Sequence, residues 1–297
     1  MKVILVGLPY FSKELARILQ VKFPDDQFIS LDTYYSKKDQ IKYLFHIFSA
    51  DVVHSINGTL GKSKVLELGM FLKKKIIFHW VGTDLIKSTE LYKNNLHNPK
   101  FITYPLHLTD SPWFIENLNE IQIKAQFVPI KGFERSYDAF DFQREFSVLC
   151  YISQHRAEYY GIELLIEIAK KLPHIKFDLV GIESYSDELP PNMILHGWVD
   201  NMTDWIKKSV VCLRLPKTDG LSFFVLESLA LQRYVAYNQN FEYSDYCKSA
   251  DDFVNYIHSK KQLFDEGNLP LNRNIANQLV KDFKEDKVLE TIMDIYK

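Results

Sequence analysis

Short apolar runs alternate with amphipathic segments along the first half of the chain. The apolar runs predict β-strands, whereas apolar residues at three- and four-residue spacing predict helices between them. This alternation indicates a parallel sheet covered by helices. The predicted strands are residues 3–6, 28–31, 51–55, 76–80, 101–106 and 126–130, and the predicted helices are residues 11–21, 38–48, 62–72, 84–94 and 112–121.

The same order of strands and helices starts again after a break. Residues 131–144 lose the apolar periodicity and are rich in charged and aromatic side chains, so we place a domain junction there. A chain of 297 residues with 46% hydrophobic content can fill two cores of about 150 residues each. Ligands bind beyond the carboxyl ends of such strands, so two facing α/β domains would form a cleft. Further strands are predicted at residues 146–152, 176–180, 193–196 and 210–215, helices at 161–172 and 203–208, and a helical tail from residue 251.

Composition and charge narrow the class of protein. The 36 Lys and Arg against 38 Asp and Glu give a formal net charge of -2, so no global field attracts nucleic acid. The three cysteines show no metal-ligand spacing, and two of them lie in apolar strand patterns, as reduced thiols do. No 18-residue apolar stretch and no signal-like start is present. We therefore expect a cytoplasmic protein that at most touches the inner face of a membrane peripherally.

The most informative stretch is residues 218–230, which follow a predicted buried strand. Asp219 and Gly220 are typical of a turn, and Ser222 is a candidate N-cap for the next helix. Backbone N–H groups at a helix start attract an anion. Asp219 and Glu227, eight positions apart, can hydrogen-bond neutral hydroxyls. A nucleotide diphosphate sugar offers both an anion and hydroxyls.

This stretch resembles the Glu-x7-Glu motif of retaining glycosyltransferases of family 4, which have the GT-B fold, with Asp219 in place of the first glutamate. The resemblance implies two facing Rossmann-like domains with a cleft between them. Residues 1–140 would hold the acceptor, residues 141–281 the nucleotide-sugar, and a last helix at about 282–297 would pack back on the first domain. It also implies metal-independent, retaining transfer of a hexose-type sugar to a hydroxyl. The alternative reading of residues 218–230 is an ordinary αβ unit with two solvated acids.

A second stretch, residues 78–84, looks like the His-x-Gly-Thr-Asp turn of the same family, with Trp80 and Val81 inserted. The resemblance implies that His79 faces the transferred sugar and the diphosphate. Gly82 permits a tight turn, Thr83 could cap the following helix, and Asp84 could accept the proton of an acceptor hydroxyl. The alternative is that His79 is an interior histidine and that Thr83 and Asp84 only begin a helix.

Residues 151–162 correspond to the place where the family often carries an arginine and then Lys-Gly. Gly161 matches, but Gln154 stands at the arginine and Tyr160 at the lysine. A diphosphate leaving group needs positive charge or hydrogen-bond donors nearby, so other cations must replace them. Whether Arg156 does so or is a solvated loop residue stays open. The candidate cations are Arg156, Arg214 and Lys217.

Two turns that contain glycine in the first half of the chain carry no complete dinucleotide or NTPase signature. The turn after the first strand lacks Gly-x-Gly-x-x-Gly, which argues against a dinucleotide oxidoreductase. Residues 57–63 end in Gly-Lys-Ser, but a P-loop needs glycine at position 56, where Ile56 stands. We expect this loop to border the acceptor.

The sequence therefore predicts a glycosyltransferase whose catalytic residues are His79, Asp219 and Asp84. No cofactor or metal is expected, because no Asp-x-Asp triplet is present. The expected partners are a nucleotide-sugar and a glycan or lipid-linked acceptor, as in polysaccharide or glycolipid synthesis. The donor-binding set is Glu227, Gly220, Leu221, Ser222, Arg156, Arg214, Lys217, Gly181 and Trp198, and the acceptor side is Gly7, Tyr10, Gly58, Gly82 and Thr83.

Two other functions remain open from the sequence. A nucleotide-sugar epimerase would need a similar cleft but no acceptor. A catalytically silent glycosyltransferase-like subunit is suggested by Gln154 and Tyr160, which replace basic residues. The nucleotide base, the donor sugar, the acceptor, the linkage and the oligomeric state are not encoded in any recognisable motif.

Overall fold

A computed structural model describes residues 1–134, 136–138 and 140–297. The described residues form two compact units, each built on a parallel six-stranded sheet. Unit 1 comprises Met1–Gly132 and Phe283–Lys297, and unit 2 comprises Phe133–Asp282. The predicted α/β architecture with two parallel sheets is confirmed. Among these residues no helix combines the length and the apolar character that crossing a bilayer requires.

The sheet of unit 1 has the strand order β2-β1-β3-β4-β5-β6. Its strands are β1 (Lys2–Gly7), β2 (Gln27–Ser30), β3 (Val52–Ile56), β4 (Lys75–Trp80), β5 (Leu106–Thr109) and β6 (Ala125–Phe127). Its helices are α1 (Pro9–Lys22), α2 (Lys37–His46), α3 (Lys64–Phe71), α4 (Thr83–Lys93), α5 (Lys100–Thr103), α6 (Phe114–Glu120) and, after unit 2, α12 (Glu285–Tyr296).

The sheet of unit 2 has the order β12-β11-β10-β7-β8-β9. Its strands are β7 (Ser147–Tyr151), β8 (Lys176–Val180), β9 (Met193–Leu195), β10 (Val211–Arg214), β11 (Tyr234–Tyr237) and β12 (Asp245–Tyr246). Its helices are α7 (Ile162–Lys171), α8 (Met202–Lys208), α9 (Phe223–Ala230), α10 (Ala250–Asp265) and α11 (Arg273–Asp282).

Each sheet has one point where the strand order reverses. In unit 1 the chain leaves β1 toward β2 on one side and returns to β3 on the other. In unit 2 the same reversal lies between β7 and β10. Loops that follow the two strands of such a pair diverge to opposite faces and leave a crevice at the carboxyl edge, where ligands bind in open α/β sheets. The fold thus marks one candidate crevice in each unit.

The helix α12 is part of the core of unit 1. Its buried side chains pack in one cluster with Val3 and Leu5 of β1 and with Leu15 and Leu19 of α1. They recur at helical spacing, so one face of α12 is apolar and lies on the sheet. These side chains are Val288, Leu289, Ile292, Met293 and Tyr296.

The strand predicted at residues 101–106 is wrong. Lys100–Thr103 form α5, and β5 begins only at Leu106. Phe101 is fully buried against the ring of Phe78. A short apolar run has too few residues for its period to separate a strand from a helical turn. The two-residue strand β12 was not predicted, because two residues carry no alternation.

The helix α2 buries a different face from the one that its apolar spacing suggests. Ile41, Leu44 and Phe45 of α2 and Phe48 in the turn after it follow helical spacing, and each is at least 50% exposed. We call these four residues the α2 stripe. The buried side chain of α2 is Tyr43, whose hydroxyl donates to the carbonyl of Val65 at 2.8 Å. This hydrogen bond joins α2 to the first turn of α3.

Candidate functional site

In unit 2, the loops that follow β7 and β10 are joined at the carboxyl edge of the sheet. The carbonyl of Tyr159 accepts a hydrogen bond from the backbone N–H of Lys217 at 2.8 Å. The hydroxyl of Tyr159 donates to the carbonyl of Thr218 at 2.7 Å. Tyr159 therefore fixes the start of the loop that carries the predicted acidic motif.

Arg214, the last residue of β10, forms a two-pronged ion pair with Asp219. Its Nε lies 2.7 Å from Oδ2 and its Nη2 lies 3.0 Å from Oδ1 of that carboxylate. The hydroxyl of Tyr237, at the end of the neighbouring strand β11, donates to Oδ2 at 3.0 Å. Both carboxylate oxygens of Asp219 therefore already have partners, and the residue orients Arg214.

The guanidinium of Arg214 is buried among aromatic rings. Only 5% of Arg214 is exposed, and its Cζ lies 4.6 Å from the ring centre of Tyr160 and 5.8 Å from that of Tyr151. Its Nη1 has no hydrogen-bond partner among the described residues. A buried donor without an acceptor costs free energy, so an anionic oxygen would be a favourable partner.

Gln154 and Tyr160, which stand where the resemblance led us to expect basic residues, both contact other parts of unit 2. Oε1 of Gln154 accepts hydrogen bonds from the N–H groups of Glu183 and Ser184, at 2.7 and 3.3 Å, and thereby fixes that loop. The ring of Tyr160 lies against Arg214. The positive charge beside Tyr160 therefore comes from Arg214, which ends the neighbouring strand β10.

The other two candidate cations both contact Tyr159. The guanidinium carbon of Arg156 is 4.0 Å from the centre of the Tyr159 ring, and Arg156 itself is exposed. Lys217 is exposed and bonded to Tyr159 through its backbone. The structure thus brings Arg156, Lys217 and Arg214 to the same two loops.

The helix α9 begins directly after this loop. Ser222 occupies the predicted N-cap position, although its side chain makes no capping hydrogen bond. The carbonyl oxygen of Gly220 lies 3.2 Å from the Tyr237 hydroxyl, whose one proton it shares with Asp219, and Leu221 is buried. Glu227 is half-buried in the second turn of α9. The predicted acids and the helix start therefore share one short segment.

Two further predicted residues of unit 2 follow strands β8 and β9. Gly181 has a left-handed φ of 88°, and a Cβ there would lie 2.6 Å from the carbonyl oxygen of Ile152. Packing against the loop after β7 thus requires glycine, whatever the ligand. Trp198 is 76% exposed, so its indole lies on the surface.

In unit 1, Asp84 joins the loops that follow β3 and β4. Its Oδ2 accepts from the N–H of Gly58 and its Oδ1 from the N–H of Gly82, both at 2.7 Å. Burial raises the pKa of Asp84 to about 6, even though these backbone bonds favour the charged form. Gly82 is the N-cap of α4, and Thr83 is its exposed first residue, so the prediction that Thr83 caps the helix is wrong.

His79 is an interior residue. It is fully buried, with Nε2 at 2.8 Å from the carbonyl oxygen of Val128 and Nδ1 at 3.2 Å from Nε2 of His54. Desolvation lowers the pKa of His79 to about 4, so the ring is neutral at pH 7. A buried ring with both nitrogens engaged cannot contact a sugar. The prediction that His79 faces the transferred sugar therefore does not fit this structure.

The direction of each hydrogen bond in this buried chain is fixed. A carbonyl can only accept, so Nε2 of His79 carries the proton and Nδ1 accepts from Nε2 of His54. Nδ1 of His54 is then unprotonated and accepts from the hydroxyl of Tyr296, which lies 2.7 Å away. Two neutral histidines and one tyrosine thus connect β4 to α12.

A cavity of about 500 Å³ opens at the carboxyl edge of unit 1, and we call it the edge cavity. Asp84 and Gly58 lie in its wall, together with hydroxyl and amide groups. Of the other predicted acceptor residues, Tyr10 is 72% exposed on α1, and Gly7 ends β1. The remaining lining residues are Leu8, Pro9, Tyr34, Tyr35, Asn57, Thr59, Thr83, Lys87, Ser88 and Leu91.

Sequence reasoning missed Tyr237 and Tyr34. Tyr237 is the last residue of β11, the strand next to β10. Its place at the carboxyl end of a parallel strand could have identified it. Tyr34 lies in the loop after β2 and could not be distinguished from other loop aromatics. No group of three or more His, Cys, Asp or Glu residues suited to a metal ion occurs in the described part of the chain.

The fold is that of the GT-B glycosyltransferases, although no family model and no curated protein matches the sequence. HepE from Anabaena, solved with UDP and glucose, aligns with a TM-score of 0.68 at 10% identity, over 99% of each chain. Sucrose-phosphate synthase from Thermosynechococcus elongatus aligns at 0.69 and 10% identity, over 100% of this chain and 98% of that one. The pneumococcal O-GlcNAc transferase GtfA, solved with UDP and GlcNAc, aligns at 0.63 and 15% identity. This chain matches over 89% of its own length and spans 60% of the GtfA chain.

Proposed function

We propose that this protein is a glycosyltransferase that moves a sugar from a nucleotide diphosphate sugar to a hydroxyl acceptor. The main support is Arg214, a buried arginine with an unpartnered Nη1 at the β7–β10 crevice of a GT-B unit. UDP is the first nucleotide to test, because HepE and GtfA were both solved with UDP. We also propose that transfer is retaining and independent of metal, and that it serves cytoplasmic polysaccharide or glycolipid synthesis.

The donor diphosphate would be bound by Arg214, Arg156 and Lys217. Asp219 would hold the Arg214 fork in place, so that little reorganisation is needed when the leaving group gains negative charge. Backbone amides of residues 220–222 at the start of α9 would complete the anion site. Glu227 would accept hydrogen bonds from the ribose hydroxyls, and Gly181 and Trp198 would border the base.

The acceptor would lie in the edge cavity of unit 1. Hydroxyl and amide groups of Tyr34, Asn57 and Thr83 suit the recognition of sugar hydroxyls. Asp84 would keep the two loops together through its bonds to Gly58 and Gly82. His79 would position β4 through its hydrogen bonds. The leaving phosphate itself would take the proton of the acceptor hydroxyl.

Thermal unfolding with nucleotide diphosphates tests the donor site. Ligand at a hundredfold its dissociation constant should stabilise the fold by about 2.7 kcal/mol. We expect UDP to raise the melting temperature of the wild type but to have a much smaller effect on Glu227→Ala and Lys217→Gln. The matched controls are Glu266→Ala and Lys170→Gln, two exposed residues of unit 2 outside the crevice, which should respond as the wild type does.

Product analysis then separates the three candidate functions. UDP release that depends on an added hydroxyl acceptor supports the transferase. Isomerisation of the donor sugar without acceptor would support an epimerase. Binding of UDP without turnover on any acceptor would support a silent subunit, the reading that Gln154 and Tyr160 favour. A response to ATP that requires magnesium and Lys62 would reject all three.

A further inference from the structure

A second cavity of unit 1 lies between α2 and α3 and has a volume of about 640 Å³. Its walls are largely apolar, and Tyr43, which joins the two helices, belongs to them. We call it the α2–α3 cavity. The apolar lining residues are Val6, Ile41, Tyr43, Leu44, Val65, Leu66 and Leu68.

Three lysines, Lys37, Lys62 and Lys64, line the same cavity, whereas no acidic residue does. All three are exposed, and none forms an ion pair within the described ranges. The nearby carboxylate of Asp39 is paired with Lys42 at 3.0 Å. The lining therefore combines apolar walls with uncompensated positive charge, which suits an anion that carries an apolar chain.

Lys62 belongs to the Gly-Lys-Ser stretch that resembled part of a P-loop. In the structure Ser63 is the N-cap of α3, where its hydroxyl accepts from the N–H of Leu66 at 3.4 Å. Lys62 and Lys64 flank this cap and line the cavity. These two lysines therefore lie beside the apolar walls of the α2–α3 cavity.

The apolar wall continues onto the outer surface. Ile41 and Leu44 line the cavity and belong to the α2 stripe, and they are 57% and 50% exposed. Phe45 and Phe48 extend that stripe and are 75% and 67% exposed. A continuous exposed apolar patch of this kind, formed by α2 and the turn after it, is typical of an interaction or ligand-binding surface. They provide an apolar surface along which a long apolar chain could leave the cavity and bury part of its area.

The α2–α3 cavity and the edge cavity adjoin each other. Tyr34 lines both cavities, and its hydroxyl accepts from the side-chain amide of Asn57 at 3.2 Å. Asn57 lies in the wall of the edge cavity, at the carboxyl end of β3. A ligand with an anionic junction between its two ends would match this pair, with its apolar tail in the α2–α3 cavity and its polar head in the edge cavity.

We propose that the acceptor is carried on a lipid phosphate. Its apolar chain would lie in the α2–α3 cavity and leave along the α2 stripe, its phosphate would contact Lys37, Lys62 and Lys64, and its hydroxyl-bearing head would lie in the edge cavity. The role of this ligand as the acceptor rests on the proposed function, whereas binding of a lipid phosphate by the cavity can be measured without turnover.

Calorimetric titration with monomeric octyl phosphate tests this assignment. Octyl phosphate should bind at least about tenfold more tightly than octanol or inorganic phosphate, because each of those retains only one of the two interactions. Lengthening the chain from six to eight carbons should tighten binding by about tenfold, as expected for two buried CH₂ groups. Equal binding of inorganic phosphate would overturn the assignment by reducing the site to a simple anion site.

Variants locate the site. Lys62→Gln combined with Lys64→Gln should weaken octyl phosphate binding by about tenfold or more, because two charged contacts are lost. Leu44→Gln should weaken the dependence on chain length. Lys93→Gln, an exposed lysine that ends α4, is the matched control and should bind as the wild type does. Unchanged binding by the double lysine variant would overturn the proposal.

Two further measurements distinguish a ligand cavity from a membrane-contact surface and the lipid proposal from the proposed transferase. Binding to vesicles that contain anionic lipid, without binding of monomeric octyl phosphate, would show a membrane-contact surface in place of a ligand cavity and would overturn the proposal. The UDP melting shift is measured on the same samples. A normal UDP response without octyl phosphate binding rejects only the lipid acceptor, whereas octyl phosphate binding without a response to any nucleotide diphosphate rejects only the proposed transferase.

Discussion

The hydroxyl of Tyr296 lies 2.7 Å from Nδ1 of His54, which joins helix α12 to the middle of strand β3. Both groups are fully buried, and the second nitrogen of His54 is 3.2 Å from Nδ1 of His79. A polar chain in such surroundings is stable only when every member has a partner. The order of donors described above satisfies all of them without any ionised group.

Replacing Tyr296 by Phe should destabilise unit 1 by about 1–3 kcal/mol, because Nδ1 of His54 then remains buried without a donor. Urea unfolding measures the change. Fluorescence can report on unit 1 when Trp198 and Trp205 of unit 2 are replaced by Phe. Tyr35→Phe, a residue of the same unit that is 85% exposed, is the control and should change little. Equal stability of the two variants would contradict the hydrogen-bonded chain.

The stability of unit 1 should fall as the pH is lowered from 7 toward 5. Burial holds the pKa of His79 and of His107 at about 4 and lowers that of His54. Below about pH 6.5 the unfolded state therefore binds protons that the folded state does not, and each histidine lowers the free energy of unfolding by about 1.4 kcal/mol per pH unit. Asp84, with its pKa raised to about 6, acts in the opposite direction and offsets about one histidine.

Urea unfolding between pH 7 and 5 measures this slope. His107→Gln should flatten it, because one of the buried neutral rings is removed. His174→Gln, an exposed histidine of unit 2, should leave the slope unchanged. A slope of the same steepness in both variants would show that His107 does not contribute to the pH dependence.

Replacing Asp219 by Asn should destabilise unit 2 by about 3–5 kcal/mol, since it leaves the charge of Arg214 buried without its partner. Urea unfolding followed through the fluorescence of Trp198 and Trp205, with Trp80 and Trp113 of unit 1 replaced by Phe, measures the loss. Asp200→Asn, an exposed residue of the same unit, should have little effect. In a double-mutant cycle with Arg214→Met, the double variant should lose less than the sum of the single losses. Strict additivity would contradict a direct interaction.

Replacing Gly58 by Ala should destabilise unit 1 by about 1–3 kcal/mol, because the new methyl overpacks the site. A Cβ at this position would lie 2.3 Å from the indole ring of Trp80. Gly61→Ala is the matched control, since its nearest neighbour is the flexible end of Leu91 at 3.3 Å. We expect that variant to stay within about 0.5 kcal/mol of the wild type in urea unfolding. Similar losses in both variants would argue against the contact with Trp80.

Much of the fold was predictable because the strands are short buried runs with clear ends. Residues 176–180 were predicted as a strand and form β8 with the same bounds. The errors occur where pattern and burial disagree. Phe101 lies in an apolar run but packs from a helical turn, and the apolar spacing of α2 faces outward because Tyr43 holds the other face. Neither fact is encoded in local periodicity.

The candidate site was predictable only where its parts are close in sequence. Asp219, Gly220 and Ser222 lie in one loop, so spacing alone brought them together. The two nitrogens of the buried His79 are engaged by His54 and by the carbonyl of Val128, which lie 25 and 49 positions away in sequence, so the local pattern around His79 does not reveal its surroundings. Likewise, the position of Tyr237 beside Asp219 follows from strand order, which must be known before the contact can be inferred.

The membership of α12 in unit 1 sets the order in which the chain can fold during synthesis. Residues 1–132 leave the ribosome first, but the face of β1 on which Val288, Ile292 and Tyr296 pack stays uncovered until the whole of unit 2 has been made. Unit 2 is continuous in sequence and can fold as soon as it emerges. The half that is made first is therefore completed last, and its apolar sheet face stays exposed and prone to aggregation in the interval.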